Sequence, residues 1–587
     1  MATPPAACET IPREVDLLVL GAGAAGMTAA LVAAIEGLDV LVCEKAGQLG
    51  GTTATSAGTI WIPENQENIR AGFTGDSRQA AGRYLDQLID QPEHGRAARE
   101  SFLAHGPEVL TWLAQHTDVK FLPCGDYPDY LDEDGAATRG RTVIPEPFDA
   151  RLLGDQFHRV RPPIAEFMVL GGMMVGKADI PHLLNRFKSL AAFRYAASLF
   201  LRFLADRLKY PRGTRLMLGN ALVARLFYSL VRRKVPIAFE TRLETLLMAQ
   251  GKVVGATLRR GEQSFQVLAR KGVVLATGGF GRNPTLRSAF MSPAVKDSMT
   301  VPENQGDGIA AALQIKALTM PERHGSGAFW SPVSRTGSGT WAGLYPHLAM
   351  DRAKPGLIAV NAQGHRFVNE AVSYHHFTLA MFETHKAAPA SPVWLICEAA
   401  FVRKYGLGAI HPGTSRLKPY VAKGWIVMAD SLALLARGIG VDAASLQASV
   451  TRHNQFAVSG VDEDFAKGST ALNRYNGDAS NRPNPCLAPI VKAPFCAMAV
   501  WPAEIGTSTG LEADAHGRVL NQQGEVIEGL YACGNDLASV MRGTYPGPGT
   551  TLGPALVFGY LVAKHATASS RVAHPSSHTA LPEALVP

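Results

Sequence analysis

The chain has 587 residues, a net charge of +7, 47% hydrophobic and 18% charged residues, which is enough for a sizeable core and excludes disorder except at the ends. Its seven cysteines form no CxxC pair and no Cys/His cluster with metal-ligand spacing, so free thiols in a reducing compartment are expected, with no disulfide framework and no metal. There is no positive segment followed by an apolar one at the start, so no signal peptide is expected, and Met1–Thr10 and Ala573–Pro587, rich in Ala, Pro, Ser and Thr, are expected to fray.

In chain order, Val15 to Lys45 reads as a β-α-β unit. An apolar run, Leu17 to Leu20, meets Gly21-x-Gly23-x-x-Gly26 with Ala24 and Ala25 between the glycines. A small-residue helix then runs to about Glu36, and a strand from Asp39 to Cys43 ends in Glu44 and Lys45. Gly21 permits the tight turn, Gly23 lets backbone approach a pyrophosphate, and Gly26 lets the helix pack close on the sheet with its N-terminus facing the phosphates. Glu44 is placed to accept a hydrogen bond from a ribose hydroxyl. Next come Gly50-Gly51-Thr52-Thr53 and Ser56-Ala57-Gly58. A Gly-Gly-Thr segment at this place resembles that of the succinate dehydrogenase/fumarate reductase-like flavoproteins, where it lies along FAD. The resemblance implies noncovalent FAD, because no His or Cys lies within Gly47–Gly58, where the covalently flavinylated relatives carry histidine.

Gln79 to Gln115 has helical periodicity. Lys120 to Arg141 is turn-rich and carries Tyr127 and Tyr130, a pair that in an ordinary loop would be amphipathic surface anchors. Between Arg186 and Arg215 stand eight basic residues and one acid, Asp206, interleaved with Phe193, Leu199, Phe200, Phe203 and Leu204; this segment holds the whole net charge. It is read as a helix (within 183–218) lying peripherally on the inner, cytoplasmic face of the cell membrane. The competing readings are a core helix with snorkelling arginines and, last, a nucleic-acid surface, although no nucleic-acid module is present. A helix from Asn220 to about Arg233, a strand from Val235 to Glu240 and a hairpin at Gly251–Gly255 follow. A buried strand from Arg270 then ends in Thr277-Gly278-Gly279, expected to return the chain to the nucleotide sheet and touch the cofactor.

Beyond Arg282 the composition shifts to turns and aromatics. A helix is expected over Ile309–Ile315, and Phe329 to Tyr345 is expected to be a loop lining an apolar cavity. Nucleotide-type sequence resumes with a strand from Gly529 into Gly534-Asn535-Asp536, and Thr551, Leu552 and Pro554 lead into a final helix to about Ala566. Flavin-type motifs at both ends and none in the middle predict an α/β (α+β) fold. A Rossmann-like FAD-binding domain would be assembled from residues 1–282 and 488–587, with an inserted substrate-capping domain over 283–487.

Thr544-Tyr545-Pro-Gly-Pro-Gly549-Thr-Thr-Leu-Gly-Pro-Ala, with Arg366-Phe-Val-Asn-Glu-Ala-Val-Ser-Tyr374 and Tyr127-Pro-Asp-Tyr130, closely resembles the 3-ketosteroid Δ1-dehydrogenases, a branch of the fumarate reductase-like flavoproteins. The resemblance implies Tyr374 as base, Tyr130 as its helper, and Tyr545 with the Gly549 N–H as an oxyanion hole. It implies 1,2-dehydrogenation of a 3-ketosteroid with an external electron acceptor, a quinone or an artificial one. The chemistry suits phenols, because removing a proton beside a ketone builds negative charge on its oxygen. The dicarboxylate-reducing relatives need Arg and His where tyrosines stand here. Alternatives are 4,5-dehydrogenation, reduction of another enone, and a non-enzymatic membrane flavoprotein that binds sterol or carries electrons.

Overall fold

The computed structural model describes residues 11–568 except 177, 292, 294, 322–324, 338–342, 349–350 and 389–390. The termini expected to fray, 1–10 and 573–587, lie outside the described residues, as does Trp341.

Strand β1 (Glu14–Leu20), helix α1 (Ala24–Ile35) and strand β2 (Val40–Cys43) form the expected opening unit. Both strands are near-continuous apolar runs because both faces of the sheet are covered. A short helix, α2 (Gly51–Thr55), carries the Gly-Gly-Thr segment. The helical stretch expected over 79–115 is two helices, α3 (Arg78–Leu88) and α4 (Arg96–His116). Pro92 and Gly95 interrupt it, Gly95 taking φ +65° at the cap of the second.

The basic segment contains α5 (Leu190–Arg207), followed by α6 (Leu218–Arg232). Its inward face is Ala192, Ala196, Phe203 and Asp206. Phe203, expected to face lipid, is instead packed beside Gly172 and Gly213, where the absence of side chains makes room for its ring. Phe193, Phe200, Leu201 and Leu204 are exposed, as are Phe187 and Leu208 at either end, at 82% and 90%. Three of the eight cations are used internally. Arg202 pairs with Asp149 at 3.2 Å and Arg215 with Asp179 at 2.8 Å, while Arg212 stacks over Phe157 and donates to Asn220 Oδ1. Arg186, Lys188, Arg194, Arg207 and Lys209 are exposed. Among the described residues no helix is long and apolar enough to cross a membrane.

The chain then re-enters the first sheet through β3 (Ile237–Ala238), β4 (Thr241–Ala249), β5 (Lys252–Arg260) and the long β6 (Gln263–Leu275). Helix α7 (Asp307–Gln314) follows. The second sheet, which takes a two-residue strand at Asp297–Ser298 on its longest strand, also contains β7 (Ala328–Arg335), β8 (Leu344–Pro346) and β9 (Leu357–Val360). Helix α8 (Tyr374–Thr384) precedes β10 (Val393–Glu398), β11 (Val427–Ala429) and β12 (Phe495–Thr507). Last come β13 (Arg518–Leu520), β14 (Val526–Ala532) and α9 (Leu552–Ala568).

The first sheet has the order β3-β2-β1-β6-β5-β4, with β14 also on β6 and β13 on β14. β6 joins the two ends of the chain: Val273–Leu275 pair in parallel with Leu18–Leu20 on one side and with Leu530–Ala532 on the other. The second sheet runs β8-β7-β12-β10-β9. One expectation changes here. The stretch from Phe329, expected as a loop, is the buried strand β7, because β12 and β8 pair with its two edges and Trp330 fills the core behind it. β12, which falls in the stretch from residue 488 expected to belong with the FAD-binding domain, pairs within the second sheet, bonded to β7, β10 and β11.

Candidate active site

One cavity, with an empty volume of about 1700 Å³ including its open mouth, runs along the C-terminal ends of β1, β2 and β6 and reaches the tyrosines. That is the crevice in which open α/β sheets bind ligands. It is lined at one end by Gly21, Gly23, Ala24, Ala25, Glu44 and Lys45. Gly51, Thr52, Thr53, Ser56, Ala57 and Gly58 follow, with Thr277 and Gly278 opposite. Gly534, Asn535, Thr551 and Leu552 complete the wall, and Tyr374, Tyr545 and Gly549 close the far end. Thus most of the residues expected at the cofactor, which no single motif unites, are brought to one wall.

The glycines have separable causes. A Cβ on Gly21 would lie 2.1 Å from the Ala276 carbonyl oxygen and one on Gly26 2.0 Å from that of Gly21, so these two serve the packing of α1 on the sheet. A Cβ on Gly23 would meet only Thr53 Oγ1, at 4.0 Å. The fold leaves room there, and only a group lying in the cavity would demand glycine. That room, next to an α-helix N-terminus, fits a pyrophosphate, and Glu44 beyond it fits a ribose. The Glu44 carboxylate already accepts from the Ala22 and Ala46 N–H groups at 2.9 Å each, which hold it at the cavity edge, and burial raises its pKa. Lys45 is drawn to Asp307 at 2.9 Å.

Four residues expected to touch the cofactor lie behind the wall: Gly26, Gly50, Gly279 and Asp536. Asp536 is buried beneath the turn that follows β6, accepting from the Thr277 and Gly279 N–H groups and from the Thr277 hydroxyl. Burial pushes its carboxyl up to about 6. Its side chain holds the turn in shape and does not reach the cavity. Gly50 turns its open side toward Ala54 and Val223, and Gly279 toward Thr507 and Asn535.

At the other end Tyr130, Tyr374 and Tyr545 form one cluster with Phe329 and Leu472. The Tyr130 and Tyr545 rings stack at 5.6 Å, and Tyr374 stands edge-on to both, at 5.7 and 5.2 Å. Tyr130 O–H donates to the Tyr374 hydroxyl oxygen at 3.4 Å. Burial raises all three phenols, Tyr545 to about 12 and the other two well above the ordinary value, while the bond from Tyr130 acts on Tyr374 in the opposite direction. Tyr374 is the first residue of α8, capped by Ser373, whose Oγ accepts from the His376 N–H. A helix N-terminus favours negative charge.

The Tyr545–Gly549 loop is held from below. Tyr130 N–H and Tyr84 O–H both donate to the Pro546 carbonyl oxygen at 2.8 Å, and Thr142 Oγ1 donates to that of Pro548 at 3.1 Å. Asp129 accepts from Trp61 Nε1 at 2.7 Å and from Arg141 at 2.6 Å. Gly549 takes φ +105° with its carbonyl oxygen bonded to the Trp61 N–H; its own N–H has no partner among the described residues. His375, kept neutral by burial, accepts from the Trp330 N–H at 3.2 Å and packs against Tyr545.

Lining residues that sequence reasoning passed over include Arg161, Arg242, Met299, Leu348 and Ile505. None carries a motif. The three lining cations, Lys45, Arg161 and Arg242, gather near Glu44: Arg161 acts on its charge, and Thr241, next to Arg242, donates to its carbonyl oxygen. Leu348 and Ile505, which pack on the tyrosine cluster, and Met299, which packs with Ile505, also line the cavity.

A family model described as FAD binding domain matches residues 16–552. A 3-oxosteroid 1-dehydrogenase of Mycobacterium tuberculosis is 36% identical, covering 94% of this chain and 98% of its own length. A 4-oxocyclohex-2-ene-1-carboxylate 5-dehydrogenase of Sinomonas cyclohexanicum is also 36% identical, over 93% of this chain and 92% of its own. The crystal structure of a 3-ketosteroid Δ1-dehydrogenase from Sterolibacterium denitrificans, in complex with 1,4-androstadiene-3,17-dione, superposes with a TM-score of 0.86 at 37% identity. It covers 95% of this chain and 100% of that one.

Proposed function

Since this chain belongs to the FAD binding domain family that includes the 3-oxosteroid 1-dehydrogenases, we propose that it catalyses the FAD-dependent 1,2-dehydrogenation of 3-ketosteroids. The observation that carries this reading is the pair Tyr374 and Tyr545 lining the cavity, with Tyr130 packed against both outside the lining. Bound FAD, held by the Gly21–Gly26 turn, Glu44 and the Gly51–Gly58 segment, supplies the acceptor for the hydride that leaves C1. The chain's own groups manage the proton and the oxygen. Tyr545 O–H and Gly549 N–H donate to the ketone oxygen, each such donor being worth about 3–4 kcal/mol where comparable ones have been removed. Tyr374 takes the proton from C2, and Tyr130 donates to the oxygen on which the phenolate charge forms.

A second reading, a 4-oxocyclohexene carboxylate as substrate, is favoured by the Sinomonas cyclohexanicum relative. A carboxylate needs a cation to hold it, and the cations lining this cavity stand at the Glu44 end. Purified FAD-loaded protein given androst-4-ene-3,17-dione and an artificial electron acceptor is expected to form the 1,4-diene. Turnover of 4-oxocyclohex-2-ene-1-carboxylate with no diene would transfer the assignment to the second reading.

We also propose that the α5 segment docks peripherally on the inner face of an anionic membrane. Five exposed cations at ~1 kcal/mol each near such a surface flank the exposed Phe193, Phe200, Leu201 and Leu204. Ile164 and Phe167, a few residues before the Gly172 on which Phe203 of α5 packs, line the cavity, and docking there would shorten the path of an apolar substrate through water. Sedimentation with anionic liposomes is expected, and is lost when Arg186, Lys188, Arg194, Arg207 and Lys209 become Glu. An intact protein left in the supernatant, or an unaffected variant, overturns the docking.

A further inference from the structure

The segment from Val301 to Gly308, which leads from the strand at Asp297–Ser298 into α7, carries none of the motifs expected at the cofactor, yet Val301, Glu303, Asn304 and Asp307 line the cavity. Its bonds fall on both banks. On one side it is tied to the turn that follows β6. Gly306 N–H donates to the Gly279 carbonyl oxygen at 3.0 Å, Asn304 Nδ2 to that of Gly278 at 2.9 Å, and Gly308 N–H to Thr277 Oγ1 at 3.2 Å. On the other side it is tied to Lys45, just past the end of β2. Lys45 Nζ lies 2.9 Å from the Asp307 carboxylate and donates to the Glu303 carbonyl oxygen and to Gln305 Oε1 at 3.3 Å each. β1 is the strand between β2 and β6, and both pair with it in parallel, so the C-terminal ends of all three lie side by side. A segment fastened beyond both neighbours passes over the end of β1, where the Gly21–Gly26 turn makes the seat that fits a pyrophosphate.

Two more elements hold the crossing. Thr52 Oγ1, on α2, accepts from Asn304 Nδ2 at 3.1 Å and from the Val301 N–H at 3.4 Å, and Arg161 lies 2.9 Å from the Glu303 carboxylate. The signs of the charges say what the acids are for. Glu303 and Asp307 put two carboxylates beside the seat of a negatively charged group, where by charge alone they would weaken its binding. Each is instead taken by a cation from another element, Asp307 by Lys45 and Glu303 by Arg161. The four side chains are 10–32% exposed, so dissolved salt reaches both pairs.

We propose that residues 301–308 form a clasp closed over the FAD seat, fastened by the Lys45–Asp307 and Arg161–Glu303 ion pairs, and that FAD enters and leaves only when these pairs part. The bonds to the β6 turn are uncharged and hold their end in place; the charged end is the one that opens. None of these contacts involves the tyrosines, so the clasp works in the same way whichever ketone the protein oxidises.

The test follows FAD itself and not turnover. FAD-loaded protein is diluted and release is read as the rise in flavin fluorescence, and uptake is read by adding FAD to the apoprotein. Raising NaCl from about 0.05 to about 0.5 M is expected to speed release from the wild type at least about threefold, because it screens the fastenings. Asp307→Asn combined with Glu303→Gln is expected to release FAD at least about threefold faster than the wild type at low salt, to lose most of the salt effect, and to take FAD up no more slowly. The direction discriminates. If the two acids were only neighbours of the cofactor, neutralising them would slow release; if they only supported the seat, uptake would slow as release quickened. Release that is unchanged or slower, slower uptake, or wild-type release that does not rise with salt overturns the proposal. If the double variant does not load FAD, the exchanged pair decides. Lys45→Glu combined with Asp307→Lys is expected to bring release back to within about threefold of the wild type from the faster rate of Lys45→Glu alone. An exchanged pair that releases FAD as fast as Lys45→Glu alone also overturns the clasp.

Discussion

Gly549→Ala isolates the proposed oxyanion-hole donor from the rest of the site. A Cβ at this position would stand 2.5 Å from the amide nitrogens of Ile60 and Trp61 and 2.6 Å from the Ile60 Cα, all backbone atoms of a strand paired to Thr142 and Val143. Ordinary contact begins near 3.4 Å, so the loop must retreat by about 0.9 Å. Alanine must also hold φ +105°, a region that costs a non-glycine residue about 1–3 kcal/mol. Oxyanion donors act at about 2.7–3.1 Å, and removing one lowers kcat by about 10²–10³. A shift of this size is expected to remove most of that contribution. The cavity wall around Glu44 and Thr52 is distant in sequence and separately supported, so FAD should stay bound. The assay is steady-state 1,4-diene formation normalised to bound flavin, with thermal melting to follow the strain. A flavin-loaded Gly549→Ala protein within threefold of wild type would refute the donor role of the Gly549 N–H.

The remaining predictions separate packing from binding and charge from shape. Gly26→Ala, whose Cβ would lie 2.0 Å from a backbone oxygen, is expected to abolish FAD binding and lower the melting temperature of the apoprotein. Gly23→Ala, open to 4.0 Å, should leave apoprotein melting unchanged while weakening FAD at least about tenfold in a flavin titration. Asp129→Ala leaves buried Arg141 with half its carboxylate partners and Trp61 Nε1 unpaired; a loss of about 3–5 kcal/mol is expected in chemical denaturation. His453 is held down at about 4 by burial and donates to the Ala488 carbonyl oxygen. Its folded value lies below the unfolded ~6.5, so it contributes stability present above pH 6.5 and lost as pH falls toward 4, up to about 3 kcal/mol. His453→Gln should flatten the stability difference across that window, and an unchanged slope would refute the assignment.

What the sequence determined by itself was whatever depends on neighbours along the chain. The turn at Gly21–Gly26 and the strands around it follow from local backbone demands, and so do the helix starting near Asp307 and the stiff loop between Tyr545 and Gly549. The roles proposed for the tyrosines rest on resemblance, since residues 130, 374 and 545 share no spacing; their gathering into one cluster is decided by the tertiary structure. Pairing between distant strands decided the rest. Phe329 to Arg335, with its Pro and serines, reads as a loop and becomes a strand because β12 and β8 offer it two ladders. β12 itself has no local mark of which sheet it joins, and its pairing with β7 and β10 is what carries the second sheet to Thr507. Asp536 sits in a motif expected to touch the cofactor, yet the backbone turns its carboxylate inward to the Thr277 and Gly279 amides. Arg202, Arg212 and Arg215 look like three more surface cations until Asp149, Asn220 and Asp179, all but one of them far along the chain, arrive beside them.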